Sequence, residues 1–344
     1  MEFFERNQAM AAAVSRVFLA PCFTPKGHLT PSCPDYRLLL LNPGLYSSRM
    51  ETWILFTLLA VTMQSVRTAA QKQIAQSLSA STTTLIRYLF GLPFALAYFF
   101  FLRSVYQEEA VVGNAVFYRA ASLAAIAQII ATVLLIKALT LRNFAVGTAL
   151  VKTEALLTAI IGALFFSAAL SPMAYLSVAI GVVGVLIASN WKLSFSDLFQ
   201  NESIKFGIGA GLGFALASLW IREASLSLEL PRLFSAAAVL LYMVFVQTIT
   251  CLLFVLVRES SQLPLMLARW RTCVFIGFSS LAGSIGWFTA MSLQDAAVVK
   301  TLGQTEFAVT LLITYFYFGE KITAREYIGI ILVALSVILL MVAT

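Results

Sequence analysis

The sequence predicts an all-α polytopic membrane protein with ten transmembrane helices, arranged as two inverted five-helix repeats. Hydrophobic residues occupy 60% of the 344 positions and charged residues only 11%, against about 25% charged residues in an ordinary soluble domain. The apolar residues fall into runs of about 20, the length at which a helix crosses about 30 Å of hydrocarbon. The two halves of the chain also repeat one another, which predicts the architecture.

The composition excludes several classes of protein. A soluble protein of this size cannot bury so much apolar surface. The net charge of +7 comes from basic residues that lie singly between apolar runs, so we interpret it as loop charge and expect no nucleic-acid partner. The only histidine is His28, and the four cysteines lack a CxxC spacing. We therefore expect no enzyme, no cofactor and no metal site.

The chain divides into four predicted segments. Residues 1–49 hold five of the nine prolines and predict a disordered N-terminal extension. Alternatively, translation starts at Met50, and the extension is a start-site artefact. The first repeat, 50–190, contains spans at 53–74, 82–102, 115–138, 145–166 and 172–190. After a connecting loop, 191–203, the second repeat, 204–344, contains spans at 204–225, 232–257, 272–293, 296–318 and 324–342.

Local signals mark three of these spans. Pro93 lies inside the second span and predicts a kink there, since proline cannot donate a helical hydrogen bond. Ser171 before Pro172 predicts a helix start with a capping hydroxyl. Thr323 and Glu326 have the spacing of a capping box at the start of the last span.

An internal repeat decides the architecture. Residues 138–188 align with 290–340 at a constant offset of 152, and twelve of the 51 positions are identical without a gap. Thr153 and Glu154 align with Thr305 and Glu306, and these polar matches are not explained by shared apolar composition. Because each half has an odd number of spans, the second half enters the membrane the opposite way up. Inverted repeats of this kind are typical of secondary transporters.

The repeat also resembles a known family. The stretch ALTLRNFAVGTAL from Ala138 to Leu150, and its second copy from Ala290 through Lys300 and the FGEKIT motif at 318–323, resemble the repeat unit of EamA-type drug/metabolite transporters. The resemblance covers about residues 50–342. It implies ten helices, both termini in the cytoplasm, no use of ATP, and transport of small metabolites, often export. The first copy departs from the pattern, with Ser-Ala-Ala at 167–169.

Ionisable residues within spans are the candidates for function, because each is costly in a membrane unless it is paired or hydrated. Lys152, Glu154, Lys300 and Glu306 lie well inside the fourth and ninth spans. The polar neighbours one turn from the lysines, Thr148 and Gln304, complete the main candidate set. Four further side chains are secondary candidates for binding or stacking, namely Arg67, Arg87, Gln128 and Trp287.

Helix geometry leaves alternatives for these residues. Residues two apart, such as Lys152 and Glu154, lie about 160° apart on an ideal helix, so we expect only one of them to face a central cavity. Either the lysines line the pathway and the glutamates pair with neighbouring helices, or the reverse holds. We favour the lysines, because basic residues outnumber acidic ones in the spans. In a further alternative, Lys152 with Glu306, and Lys300 with Glu154, neutralise one another across the bundle.

Together these features predict a secondary transporter of a small anionic or zwitterionic metabolite, such as an amino acid, by alternating access between the repeats. The alternatives are a cationic drug exporter and a non-transporting membrane receptor or partner protein. Glu154 and Glu306 are the expected carriers if protons drive transport. We expect a multi-pass protein of the inner (cytoplasmic) membrane, monomeric or homodimeric, whose partners are the lipid bilayer and the small-molecule substrate.

Overall fold

The computed structural model describes residues 49–107, 111–140, 150–188, 202–309, 311 and 323–343. These residues are mainly helical, and no β-strand occurs among them. The predicted N-terminal extension apart from Arg49, most of the connecting loop, the start of the fourth predicted span and the end of the ninth lie outside the described residues.

Twelve helices have defined bounds within the described part of the chain. They are α1 (Arg49–Ile74), α2 (Ala80–Leu89), α3 (Leu92–Tyr106), α4 (Ala115–Thr140), α5 (Glu154–Phe165), α6 (Pro172–Ala188), α7 (Glu202–Ser227), α8 (Arg232–Arg258), α9 (Leu263–Ala268), α10 (Trp270–Leu293), α11 (Ala296–Leu302) and α12 (Ala324–Ala343). Two 3-10 turns occupy Ser260–Gln262 and Gly303–Thr305.

Seven helical segments in the described residues are long and apolar enough to cross a membrane. They are Thr52–Ile74, Ala80–Tyr106, Ala115–Thr140, Ile204–Ser227, Arg232–Arg258, Trp270–Leu293 and Ala324–Ala343. The apolar helices α5 and α6 are shorter, with 12 and 17 residues. The all-helical, multi-pass membrane fold is therefore confirmed, whereas the number of ten full-length spans stays a prediction.

The local signals read from the sequence are found where they were expected. The second span is broken between α2 and α3, and Pro93 lies in the first turn of α3. Ser171 Oγ accepts from the backbone N–H of Ala174 at 3.2 Å. The backbone N–H of Thr323 donates to Glu326 Oε2 at 2.6 Å, and the backbone N–H of Glu326 donates to Thr323 Oγ1 at 3.4 Å, as the predicted capping box requires.

The helices pair in a pattern that follows a two-fold axis. The most extensive contacts join α1 to α10, α4 to α7, and α6 to α12. The first two pairs are equivalent when the two repeats are exchanged, and the third pair exchanges with itself. The α1–α10 pair is antiparallel: Gly286 lies against Phe56 and Ala60, and Gly283 lies against Ala60 and Gln64.

The contact between α6 and α12 shows the same symmetry at residue level. Ser177 Oγ donates to the carbonyl of Ser336, and Ser336 Oγ donates to the carbonyl of Ser177, both at 2.8 Å. Gly184 and Gly329 bring the two backbones together seven residues further along each helix, in opposite directions. The sequence offset pairs Ser177 with Gly329 and Gly184 with Ser336. The contact is thus antiparallel and maps onto itself, as inverted repeats require.

Candidate functional site

A polar cavity lies within the bundle, between the two repeats. Side chains from α1, α2, α4, α7 and α10 line it, together with residues from the start of α5 and from α11. Its volume is about 90 Å³, and one buried water needs about 10–15 Å³ by the same measure. The cavity therefore has room for several waters or a small molecule. Among the described residues, six ionisable side chains line it, namely Arg67, Arg87, Lys152, Lys300, Glu154 and Glu306.

Two ion pairs cross the cavity from one repeat to the other. Lys152 Nζ bonds Glu306 Oε2, and Lys300 Nζ lies 2.9 Å from Glu154 Oε1. Each repeat thus supplies one lysine and one glutamate, and each lysine pairs with the glutamate of the other repeat. This is the cross-bundle pairing that the sequence left as an alternative.

The expectation that a lysine and its neighbouring glutamate face different directions is wrong. Both Lys152 and Glu154 line the cavity, because residues 152 and 153 form a turn and α5 begins only at Glu154. In the second repeat, α11 ends at Leu302 and a 3-10 turn follows before Glu306. The ideal helical angle does not apply across either break, so the lysine and the glutamate of each repeat both face the cavity.

The second break also turns Gln304 away from Lys300. Gln304 does not line the cavity, and both its side-chain Nε2 and Oε1 are buried without a hydrogen-bond partner. The side-chain amide of Gln304 packs against Gly181 of α6. A methyl group at Gly181 would overlap with this amide. Gln304 is therefore a packing residue in this conformation. Thr148, the equivalent of Lys300, lies outside the described residues.

A hydrogen-bond chain supports the ion pairs. Gln64 Nε2 donates to Glu306 Oε2 at 2.7 Å, and Gln64 Oε1 accepts from Trp287 Nε1 at 2.9 Å. The ammonium of Lys300 lies over the Trp287 ring, 4.2 Å from the ring centroid, which is a cation–π contact. A side chain at Gly303 would lie 2.5 Å from the same ring. The chain links both ion pairs through α1 and α10.

The two arginines of the cavity have no such acidic partners. Arg87 donates from Nη1 to Thr132 Oγ1 at 3.2 Å and from Nη2 to Ser284 Oγ at 3.5 Å, and both partners are neutral. Arg67 is 3% exposed, and its Nε has no hydrogen-bond partner. In the described part of the chain, neither guanidinium forms an ion pair.

A smaller polar space adjoins Arg87. It measures about 10 Å³ and shares Arg87, Gln128 and Ser284 with the main cavity. Gln128 Oε1 accepts from Gln247 Nε2 at 2.8 Å, which joins α4 to α8. The sequence did not single out Ser284. Its only signal is its place among the small residues Gly283 and Gly286, which let α10 approach α1.

The fold and the site define a class of protein: a multi-pass membrane protein with two inverted repeats around a charged cavity. The model of the EamA-like transporter family matches residues 51–190 and 201–342. The chain therefore belongs to the EamA-like transporter family and is a membrane transporter. This confirms the resemblance that the repeat motifs suggested.

The other comparisons bear on the fold. Chains of known structure match this one, and one crystal structure superposes with a TM-score of 0.64 at 13% sequence identity. The match covers 85% of this chain and 98% of the other chain. At this identity the likeness shows a common fold. A search of curated proteins found no significant match.

Proposed function

We propose that the protein is a secondary transporter that carries a small anionic or zwitterionic metabolite by alternating access between its two repeats. The observation that carries the proposal is the charge of the cavity, where four basic side chains meet two acidic ones. A cavity with excess positive charge attracts carboxylates and other anions and repels lipophilic cations.

The ion pairs refine which residues act on the substrate. Lys152 and Lys300 are each neutralised by a glutamate, so the excess charge rests on Arg67 and Arg87. Guanidinium groups suit this task, because their planar donors match carboxylate and phosphate oxygens in a bidentate way. We assign the two arginines to substrate binding and the lysine–glutamate pairs to the contact between repeats.

Reconstitution into liposomes tests this proposal. Vesicles that contain the purified protein are loaded with a cell metabolite extract, and mass spectrometry measures which metabolites leave or exchange. We expect small anions or zwitterions to move, and empty vesicles to retain them. Movement of cations alone would refute the proposed charge selectivity. If no metabolite moves with well-folded protein, the transporter mechanism fails and the receptor alternative gains support.

A further inference from the structure

We infer that the substrate carries two negative charges, on two carboxylates or on one phosphate monoester, and that Arg67 and Arg87 bind them. This inference rests on the proposed function and narrows its substrate class. It follows from the charge inventory of the cavity and from the hydrogen-bonding state of the two arginines.

Among the described residues that line the cavity, the positive charges exceed the negative charges by two. Lys152 and Lys300 are satisfied by Glu306 and Glu154, and the remaining lining charges are Arg67 and Arg87. Isolated charges are expensive in the interior of a membrane bundle unless a counter-ion or water accompanies them. A ligand that brings two negative charges would balance the inventory without breaking either ion pair.

The hydrogen bonds identify the same two groups. Arg67 is buried and lines the cavity, and no hydrogen bond joins its guanidinium to another described residue, which leaves donors for a ligand. Arg87 is held by the hydroxyls of Thr132 and Ser284 at 3.2 and 3.5 Å. The guanidinium also lies over the Tyr88 ring, 5.3 Å from its centroid. These contacts orient the guanidinium without giving it an anionic partner. The site is thus preorganised for anionic oxygens.

Ligand classes differ in how they fit this inventory. A zwitterionic amino acid contributes no net charge and would leave the full excess in place. A monoanion would leave one arginine uncompensated. A dianion neutralises both, and a dicarboxylate and a phosphate monoester present the same charge in different shapes. The inference therefore predicts a graded response to ligand charge at constant ligand size.

A matched series of probes tests this prediction. The melting temperature of the purified full-length protein is measured with succinate, succinamate and 4-aminobutyrate, which have similar length and carry two, one and no net negative charges at pH 7.5. Methyl phosphate is the probe for phosphate monoesters. We expect at least one dianion to bind at least ten-fold more tightly than succinamate, and 4-aminobutyrate to bind weakest. The stronger of succinate and methyl phosphate identifies the anionic group.

Variants separate binding from a structural role. Arg67→Gln should abolish the preference for dianions over the monoanion, whereas Arg67→Lys should retain it. Arg119→Gln is the matched control, because Arg119 is exposed and pairs with Glu223 away from the cavity. If Arg67→Gln does not fold, Arg87→Gln replaces it, because this variant also removes one positive charge from the cavity and should also abolish the preference for dianions.

The outcomes distinguish this inference from the proposed function. Equal or tighter binding of succinamate or 4-aminobutyrate, or no effect of either dianion, would overturn the inference. Release of zwitterions or monoanions from extract-loaded vesicles would overturn it as well, while the proposed transport function would stand. A failure to move any metabolite would overturn both.

Discussion

Loss of either partner of the Lys300–Glu154 pair should destabilise the protein. Two unit charges 2.9 Å apart attract by about 6 kcal/mol at an effective dielectric constant of about 20, and desolvation of both ions offsets most of this. Removal of one partner leaves the other charge buried and uncompensated, which typically costs about 3–5 kcal/mol. Both side chains are largely buried, at 8% and 13% exposure, so we expect about 3 kcal/mol for Glu154→Gln.

Glu154→Gln and Lys300→Gln should cost the same to within about 1 kcal/mol, because the charge that is left behind keeps a favourable contact in either case. After Glu154 is neutralised, the ammonium of Lys300 still lies over the Trp287 ring, a contact of up to about 2 kcal/mol when desolvated. After Lys300 is neutralised, Glu154 keeps the favourable field at the start of α5, about 0.3–1 kcal/mol, and the attraction of the Arg67 charge. Adding Trp287→Leu should therefore cost more in Glu154→Gln than in Lys300→Gln, since only the first variant keeps the contact between Lys300 and Trp287.

A double-mutant cycle measures these values. The free energy of unfolding is determined in mixed detergent micelles for the wild type, both single variants and Lys300→Gln/Glu154→Gln. We expect the double variant to lose less than the sum of the single losses, because no buried charge is left alone. Additive losses within about 0.5 kcal/mol, or single losses that differ by much more than about 1 kcal/mol, would refute the reasoning.

Two further predictions concern coupling and packing. The double variant Glu154→Gln/Glu306→Gln should make transport insensitive to a pH gradient, because both candidate proton carriers are lost. Uptake into vesicles with and without the gradient measures this. If uptake by the double variant still depends on the gradient as in the wild type, these two residues are not the proton carriers. Gly286→Ala should cost about 1–3 kcal/mol in unfolding free energy, because its methyl group would lie 2.5 Å from the Phe56 carbonyl. Gly283→Ala on the same helix is the control: its nearest neighbour would be 3.5 Å away, so equal losses would contradict the steric argument.

The membrane class and the repeat could be predicted from the sequence because both are written in long-range patterns. Runs of about 20 apolar residues match the length of a helix that crosses the bilayer, and the constant offset of 152 residues indicates the duplication. Pro93 and Ser171 act within one turn of their own helices, and for this reason their effects were predictable as well. None of these signals depends on which helices become neighbours.

The arrangement within the site depends on two breaks that the sequence pattern does not reveal. The sequence identifies Lys152, Glu154 and Lys300 as deep charges, but an ideal helix does not give their orientation. The turn before α5 and the 3-10 turn after α11 interrupt the regular helix between the lysine and the glutamate of each repeat. Whether Arg67 Nε has a hydrogen-bond partner likewise depends on its neighbours, and only the tertiary structure shows it.

The two ion pairs also constrain how the repeats move. Residues of α5 and its preceding turn meet α11 and the residues after it, and these segments exchange with one another under the two-fold axis. Because both pairs join one repeat to the other, any relative movement of the repeats must stretch the pairs or exchange their partners. Stretching buried pairs is costly, so the two pairs stabilise the present arrangement of the repeats against relative movement. Variants that break one pair should therefore change the rate of transport as well as the stability of the protein.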